Sequence, residues 1–186
     1  YIPGVIDGNS GSFNFHDVSR FDYFYDAVKW AVEKRITEGT GANFFSPNAS
    51  CTRAQMVTFL WRAAGSPAPK STVNPFTDVS ANDYFYNAVL WAVENGITTG
   101  ASADRFAPGA TVSRAQTVTF LYRANGSPAA SGASFSDVAA DEYYANAVAW
   151  AVQNGITTGT GNGKFSPNAD CTRGQIVTLL YRADTK

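Results

Sequence analysis

Arg53, Arg114 and Arg173 are the residues whose type and placement call most plainly for chemistry. They sit in Thr52-Arg53-Ala54-Gln55, Ser113-Arg114-Ala115-Gln116 and Thr172-Arg173-Gly174-Gln175. A Ser or Thr followed three residues later by Gln is a capping box. The hydroxyl accepts from a free N–H of the first helical turn, and the Gln amide reaches back to the cap N–H. Thr52, Ser113 and Thr172, with Gln55, Gln116 and Gln175, therefore have a structural reason to be there. The arginines do not. A cation in the first turn faces the positive pole of the helix, an unfavourable place by roughly 0.3–1 kcal/mol. The same misplacement occurs three times. A helix N-terminus flanked by a guanidinium is, however, a good anion site, because backbone N–H groups and the guanidinium fork can converge on one carboxylate or phosphate. The alternative is an internal salt bridge to Asp17, Asp78 or Asp137. The dipole argument favours the anion site.

Other candidates are weaker. Trp30, Trp91 and Trp150 have faces that suit a sugar ring, but they lie inside an apolar helical stripe, and packing is the favoured reading. Gly100 and Gly159 lie in loops that either let a ligand approach the backbone or are plain turns. Cys51 and Cys171 occupy equivalent positions where the middle copy has Val112, so small buried free thiols are expected. A disulfide between them requires that position to lie near a threefold axis. The repeated Asp17, Asp78 and Asp137 precede helices, where capping explains them. One carboxylate per copy does not make the facing pair that a glycosidase needs, and the sequence reads as non-enzymatic. No phosphate-binding loop or dinucleotide fingerprint is present.

Composition narrows the classes further. Among 186 residues, 14 Lys+Arg against 15 Asp+Glu give a net charge of −1, too little positive field for nucleic acid. One His and two separated Cys cannot build a structural zinc site, and no cofactor is expected. The longest apolar run, Ala88 to Val93, is too short to insert into a membrane. Beginning at Tyr1 without a leader-like stretch, the chain reads as a mature or trimmed fragment.

The candidate residues are positioned by a threefold internal repeat. Phe15-His16-Asp17-Val18 returns as Phe76-Thr77-Asp78-Val79 and Phe135-Ser136-Asp137-Val138, and comparing Tyr23–Thr40 with Tyr84–Ala101 gives 12 identities in 18 positions. This divides the chain into a tether at 1–14 and repeats with their linkers at 15–75, 76–134 and 135–186. In the middle copy, Tyr84, Ala88, Trp91 and Ala92 form a helical stripe. Asn95-Gly96-Ile97 ends that helix with a left-handed Gly, as Asn154-Gly155-Ile156 does in the third copy. Arg35 stands at this position in the first copy. Each Gly-rich loop then closes in Phe-x-Pro, with Phe45, Phe106 and Phe165 as expected buried anchors. The second helix follows, with Val57, Leu60 and Trp61 on its apolar face. Strand signals are weak; the Phe-x-Asp-Val phrases make at most short extended contacts. The fold class is mainly α, with two main helices per copy. A unit of about 60 residues has little core of its own, so three should close around an approximate threefold axis and share an interior.

Taken together, Phe-x-Asp-Val, the Trp-Ala-Val helix ending in Gly-Ile-Thr, Phe-x-Pro and Thr-Arg-Ala-Gln resemble the S-layer homology (SLH) family over residues 15–186. The resemblance implies a monomeric pseudo-trimer with a central helix bundle and three prongs. It implies extracellular, non-covalent anchoring of a bacterial surface protein to the cell wall. The implied partner is a secondary cell wall polymer, an anionic and often pyruvylated polysaccharide held in grooves between repeats. The motif arginine of the family corresponds to Arg53, Arg114 and Arg173. The family often has Glu where this chain has Gln55, Gln116 and Gln175, and Ala where it has Gly174. An alternative role for such a module is lateral self-assembly of a surface layer.

Overall fold

A computed structural model describes residues 14–184; the tether assigned to 1–14 falls, apart from Asn14, outside the described residues. Among them are six helices and no extended sheet: α1 Tyr25–Glu33, α2 Arg53–Ala63, α3 Tyr86–Glu94, α4 Arg114–Ala124, α5 Ala145–Gln153 and α6 Arg173–Asp184. Each copy thus supplies a nine-residue helix and a longer one. The stripe in the middle copy begins later than the sequence periodicity predicts. Helix α3 starts at Tyr86, so Tyr84 lies before it and is 62% exposed rather than packed. An Asp83 turn accounts for this: its carboxylate accepts from Ser80 N–H and its carbonyl from Tyr86 N–H, and the chain becomes helical only after that.

The helices stop where the sequence says they should. Gly96 and Gly155 take φ of 68° and 65°, and Arg35 takes 59° at the same position. The following Ile36, Ile97 and Ile156 are buried and return their N–H to Ala31, Ala92 and Ala151 carbonyls. An L side chain in this region is strained by roughly 1–2 kcal/mol. Part of that gain is offset by the greater backbone freedom of an unfolded glycine. Arg35→Gly is therefore expected to raise the thermal midpoint by about 2–4 °C, measured by calorimetry.

Packing runs between copies as much as within them. Helix α3 packs on α2, α5 on α4 and α1 on α6. Trp30 meets Tyr181 at 5.6 Å and Trp150 meets Tyr122 at 5.8 Å between ring centroids. Trp30 and Trp150 are buried and Trp91 half-buried against the same core, the packing role that periodicity favours. Phe45, Phe106 and Phe165 are fully buried, as the Phe-x-Pro loops predict.

Just before the long helices the three copies exchange backbone hydrogen bonds in sequence. Cys51 N–H donates to the Cys171 carbonyl, Cys171 N–H to Val112 and Val112 N–H to Cys51. Three isolated bridges lie here, pairing Ser50 with Thr172, Thr52 with Thr111 and Ser113 with Asp170, and two more close the Gly-rich loops at Gly41–Phe44 and Gly161–Lys164. The Phe-x-Asp-Val phrases each donate one backbone bond to the Gly-rich loop of their own copy, as between His16 N–H and the Asn43 carbonyl. Cys51 and Cys171 are free and fully buried, and burial pushes the Cys51 thiol up to about 12.

Asp17, Asp78 and Asp137 do not cap the helices that follow them, contrary to the sequence expectation. Phe24, Phe85 and Tyr144 stand at those cap positions without a side-chain bond. Each carboxylate instead accepts two backbone N–H groups of its own Phe-x-Pro loop: Asp17 from Phe45 and Ser46, Asp78 from Phe106 and Ala107, and Asp137 from Phe165 and Ser166, all at 2.8–2.9 Å. An anionic acceptor holding two N–H donors is a strong staple. It fixes the Phe anchor on which the site is built.

Candidate functional site

The second helices open as their capping boxes require. Thr52, Ser113 and Thr172 hydroxyls accept from Gln55, Gln116 and Gln175 N–H groups, and each Gln Oε1 accepts from the cap N–H at 3.0 Å. This geometry sends Arg53, Arg114 and Arg173 away from their own copy. Arg53 Nε donates to the Phe106 carbonyl, Arg114 Nε to Phe165 and Arg173 Nε to Phe45, each at 2.9 Å. The guanidinium of Arg53 lies 4.9 Å over the Phe106 ring, that of Arg114 4.8 Å over Phe165 and that of Arg173 4.9 Å over Phe45. Arg53 and Arg173 stack on a second ring as well, Phe120 and Phe59.

All three arginines are buried, at 5%, 7% and 5% exposure. Among the described residues none forms an ion pair with Asp17, Asp78 or Asp137, whose oxygens are occupied by the loop N–H groups. Burial pulls each guanidinium below its usual pKa, and the more distant Asp charges act only weakly against that. Arginine stays charged even so. The Nη2 atoms of Arg53 and Arg173 are buried with no hydrogen-bond partner. A buried charged donor left unpaired is costly, and here it occurs twice at equivalent positions.

The guanidiniums lie at the floors of three grooves, each lined from all three copies. The first groove takes Arg173, the Thr37–Thr40 loop with Gly39, Gln55 and Arg62 of α2, and Tyr84. The second takes Arg53, the Thr98–Ala101 loop with Gly100, Gln116 and Arg123 of α4, and Tyr143. The third takes Arg114, the Thr157–Thr160 loop with Gly159, Gln175 and Arg182 of α6, and Tyr23. Every groove residue expected from the sequence lines one of these grooves except Thr52, Ser113 and Thr172, whose hydroxyls serve the caps. Gly100, at φ 97°, has a packing reason as well. A Cβ there would lie 2.4 Å from the Phe76 ring and 2.6 Å from the Ser102 carbonyl.

Sequence reasoning missed two members of the set. Arg62, Arg123 and Arg182 sit in the last turns of their helices, where a cation suits the negative pole and attracts no notice. Each donates one Nη1 bond to the Ile36, Ile97 or Ile156 carbonyl, which turns the guanidinium toward the groove loop. Tyr23, Tyr84 and Tyr143 are 61–63% exposed on the groove walls, and partial burial raises each phenol. They are neutral donors and flat apolar faces at neutral pH. Recurrence in triplicate was the available signal for both. Each groove thus offers a floor arginine, a helix-end arginine, a phenol and a Gln amide, and the first adds Arg35 and Glu38. That combination suits an acidic, hydroxyl-rich ligand.

No helix among the described residues is long and apolar enough to cross a membrane. The family model of the S-layer homology domain matches residues 14–57, 75–118 and 134–177. Over 187 residues the chain is 30% identical to an endoglucanase of Bacillus sp. (strain KSM-635), covering 95% of this chain and 20% of that protein. It is 32% identical over 146 residues to the surface-layer 125 kDa protein of Lysinibacillus sphaericus, covering 78% of this chain and 12% of that protein. It is 33% identical over 116 residues to the S-layer protein of Bacillus thuringiensis subsp. finitimus, covering 60% and 14%. The chain spans a fifth or less of the length of these relatives.

Proposed function

Because the chain belongs to the S-layer homology domain family, we propose that it anchors a larger bacterial surface protein non-covalently to the cell wall, by holding an anionic secondary cell wall polymer in its three grooves. The setting is the cell surface, and relatives named as surface-layer proteins fit that setting. The relative named as an endoglucanase is several times longer than this chain, as expected if the same kind of module is attached to different cargo. The domain reading is three repeats, 15–75, 76–134 and 135–186, closed as a pseudo-threefold trimer with a central bundle of α2, α4 and α6 and three projecting prongs.

The observation that carries the proposal is that Arg53 and Arg173, each with a buried Nη2 that has no partner, line the grooves. A carboxylate that displaces the atoms covering Nη2 completes the guanidinium fork and removes a cost already present in the free protein. Gln55, Gln116 and Gln175 support the same sign of ligand. Each spends its Oε1 on the cap, so its contribution to a ligand is the Nε2 donor. A pyruvyl ketal on an N-acetylated sugar has an acid of suitable size, and a groove phenol provides a face for the ring.

One groove holding one charged group is a weak site, and several grooves on one polymer chain gain by avidity. The protein is expected to co-sediment with purified cell wall and to be released by excess soluble wall polymer. It is expected to remain monomeric at the same concentrations without polymer. Concentration-dependent oligomers together with no wall binding would favour lateral self-assembly instead.

A further inference from the structure

The three grooves are not alike. The first has a volume of about 540 Å³, against about 420 and 400 Å³ for the others. Arg35 and Glu38 stand on its wall. The second and third copies have Gly96 and Thr99, then Gly155 and Thr158, at those two positions. Arg35 is exposed, and a Cβ built at the equivalent Gly96 meets no atom within 4 Å, so the position has room for a side chain without burying one. Arg35 nevertheless keeps a left-handed backbone that disfavours it, and such strain tends to be retained where a side chain serves a ligand. Both side chains are exposed, and among the described residues neither is engaged in an ion pair or a side-chain hydrogen bond.

Relative to its neighbours, then, the first groove gains one charge of each sign. The second and third grooves are lined by two guanidiniums and no carboxylate; the first is lined by three guanidiniums and one carboxylate. A purely anionic ligand would gain from Arg35 and be repelled by Glu38. A neutral one would use neither. Only a ligand bearing both signs uses both. We infer, building on the anion-binding reading above, that the first groove selects a glycan unit with a free, protonated amino group near its acidic group. Glu38 receives the ammonium, and Arg35 joins Arg62 and Arg173 on the acidic side.

The probe is a short soluble fragment of wall polymer, too short to bridge two grooves, used as isolated and after N-acetylation with acetic anhydride. Binding is measured in an Arg53→Met/Arg114→Met background that leaves the first groove intact. If that background does not fold, the unaltered chain is used and the first groove is read as one site in the stoichiometry. N-acetylation is expected to weaken that site about tenfold, one charge-assisted hydrogen bond. Glu38→Thr is expected to bind both forms equally, at the weakened level. The inference is overturned if N-acetylation leaves the site unchanged, or if Glu38→Thr loses as much on N-acetylation as the chain with Glu38. Absence of binding by the unaltered chain to either form is a different failure: it removes the anchoring reading itself, and wall co-sedimentation would fail with it.

Discussion

Replacing Arg53 and Arg173 by Met together is expected to weaken wall-polymer binding about 100-fold while shifting folding stability by no more than about 2 kcal/mol. The two halves of this expectation have different causes. Binding is lost because each variant groove no longer has the guanidinium at its floor, and a charge-assisted bond contributes roughly 1.5–3 kcal/mol. Stability changes little because large terms oppose one another. The variants lose the Nε–H bonds to the Phe106 and Phe45 carbonyls and the stacking over the Phe rings. A cation over an aromatic face contributes about 0.5–2 kcal/mol. Against this, they no longer bury a charge with an orphaned Nη2, and apolar replacement of buried charge is often neutral or stabilising. Met also fills nearly the same volume, so no cavity opens beneath the Phe rings. If the arginines served the fold alone, the pattern would invert: stability would drop and binding of the remaining folded protein would persist. Chemical denaturation and polymer titration on the same sample separate the two.

The second large effect concerns Asp78. Asp78→Ala is expected to destabilise the protein by about 2 kcal/mol, because it removes an ionised acceptor from two backbone N–H groups, one belonging to a fully buried Phe106. The figure is set toward the low end for two charged bonds because the carboxylate is partly exposed. Acid should do gradually what the substitution does at once. Burial pushes the Asp78 carboxyl up, but the Phe106 and Ala107 N–H bonds and nearby Arg105 outweigh it, and the net pKa is lowered. At Asp137 the Phe165 N–H is the largest influence, and the net direction is again down. A folded-state pKa below the unfolded value means stability that is complete above the unfolded pKa near 4. It is lost as pH falls through the lower folded value. Denaturation midpoints should therefore be flat near neutrality and fall below about pH 4. Asp78→Ala should show a shallower fall than the unaltered chain. Since Asp78 holds the Phe106 loop and Phe106 supports Arg53, the variant should also weaken the second groove.

How much of this was legible in the sequence follows the range of the interactions. Helix stops at Gly96 and Gly155, the strained Arg35, the buried Phe45, Phe106 and Phe165, and the capping boxes are local signals repeated three times, and each was readable. The misplacement of Arg53, Arg114 and Arg173 against the helix pole was readable too. Its resolution was not, because Arg173 Nε finds its acceptor 128 residues away at Phe45, and the groove needs a third copy to supply Tyr84. Asp78 was misassigned for the same reason. A local cap sufficed to explain it, whereas its partners lie 28 and 29 residues on, in a loop with no pattern pointing back. Tyr84 read as the start of a stripe because its spacing to Ala88 and Trp91 is helical, and only the preceding Asp83 turn takes it out of the helix.

The central claim is that an external acid completes the orphaned guanidiniums, and calorimetric titration with soluble wall-polymer fragments tests it most directly. Fragments are titrated as isolated and after chemical removal of their carboxylate-bearing groups. The account predicts saturable binding to the first and at least about tenfold weaker binding to the second. Equal affinity for both would show that the grooves do not read the acid, and would contradict it.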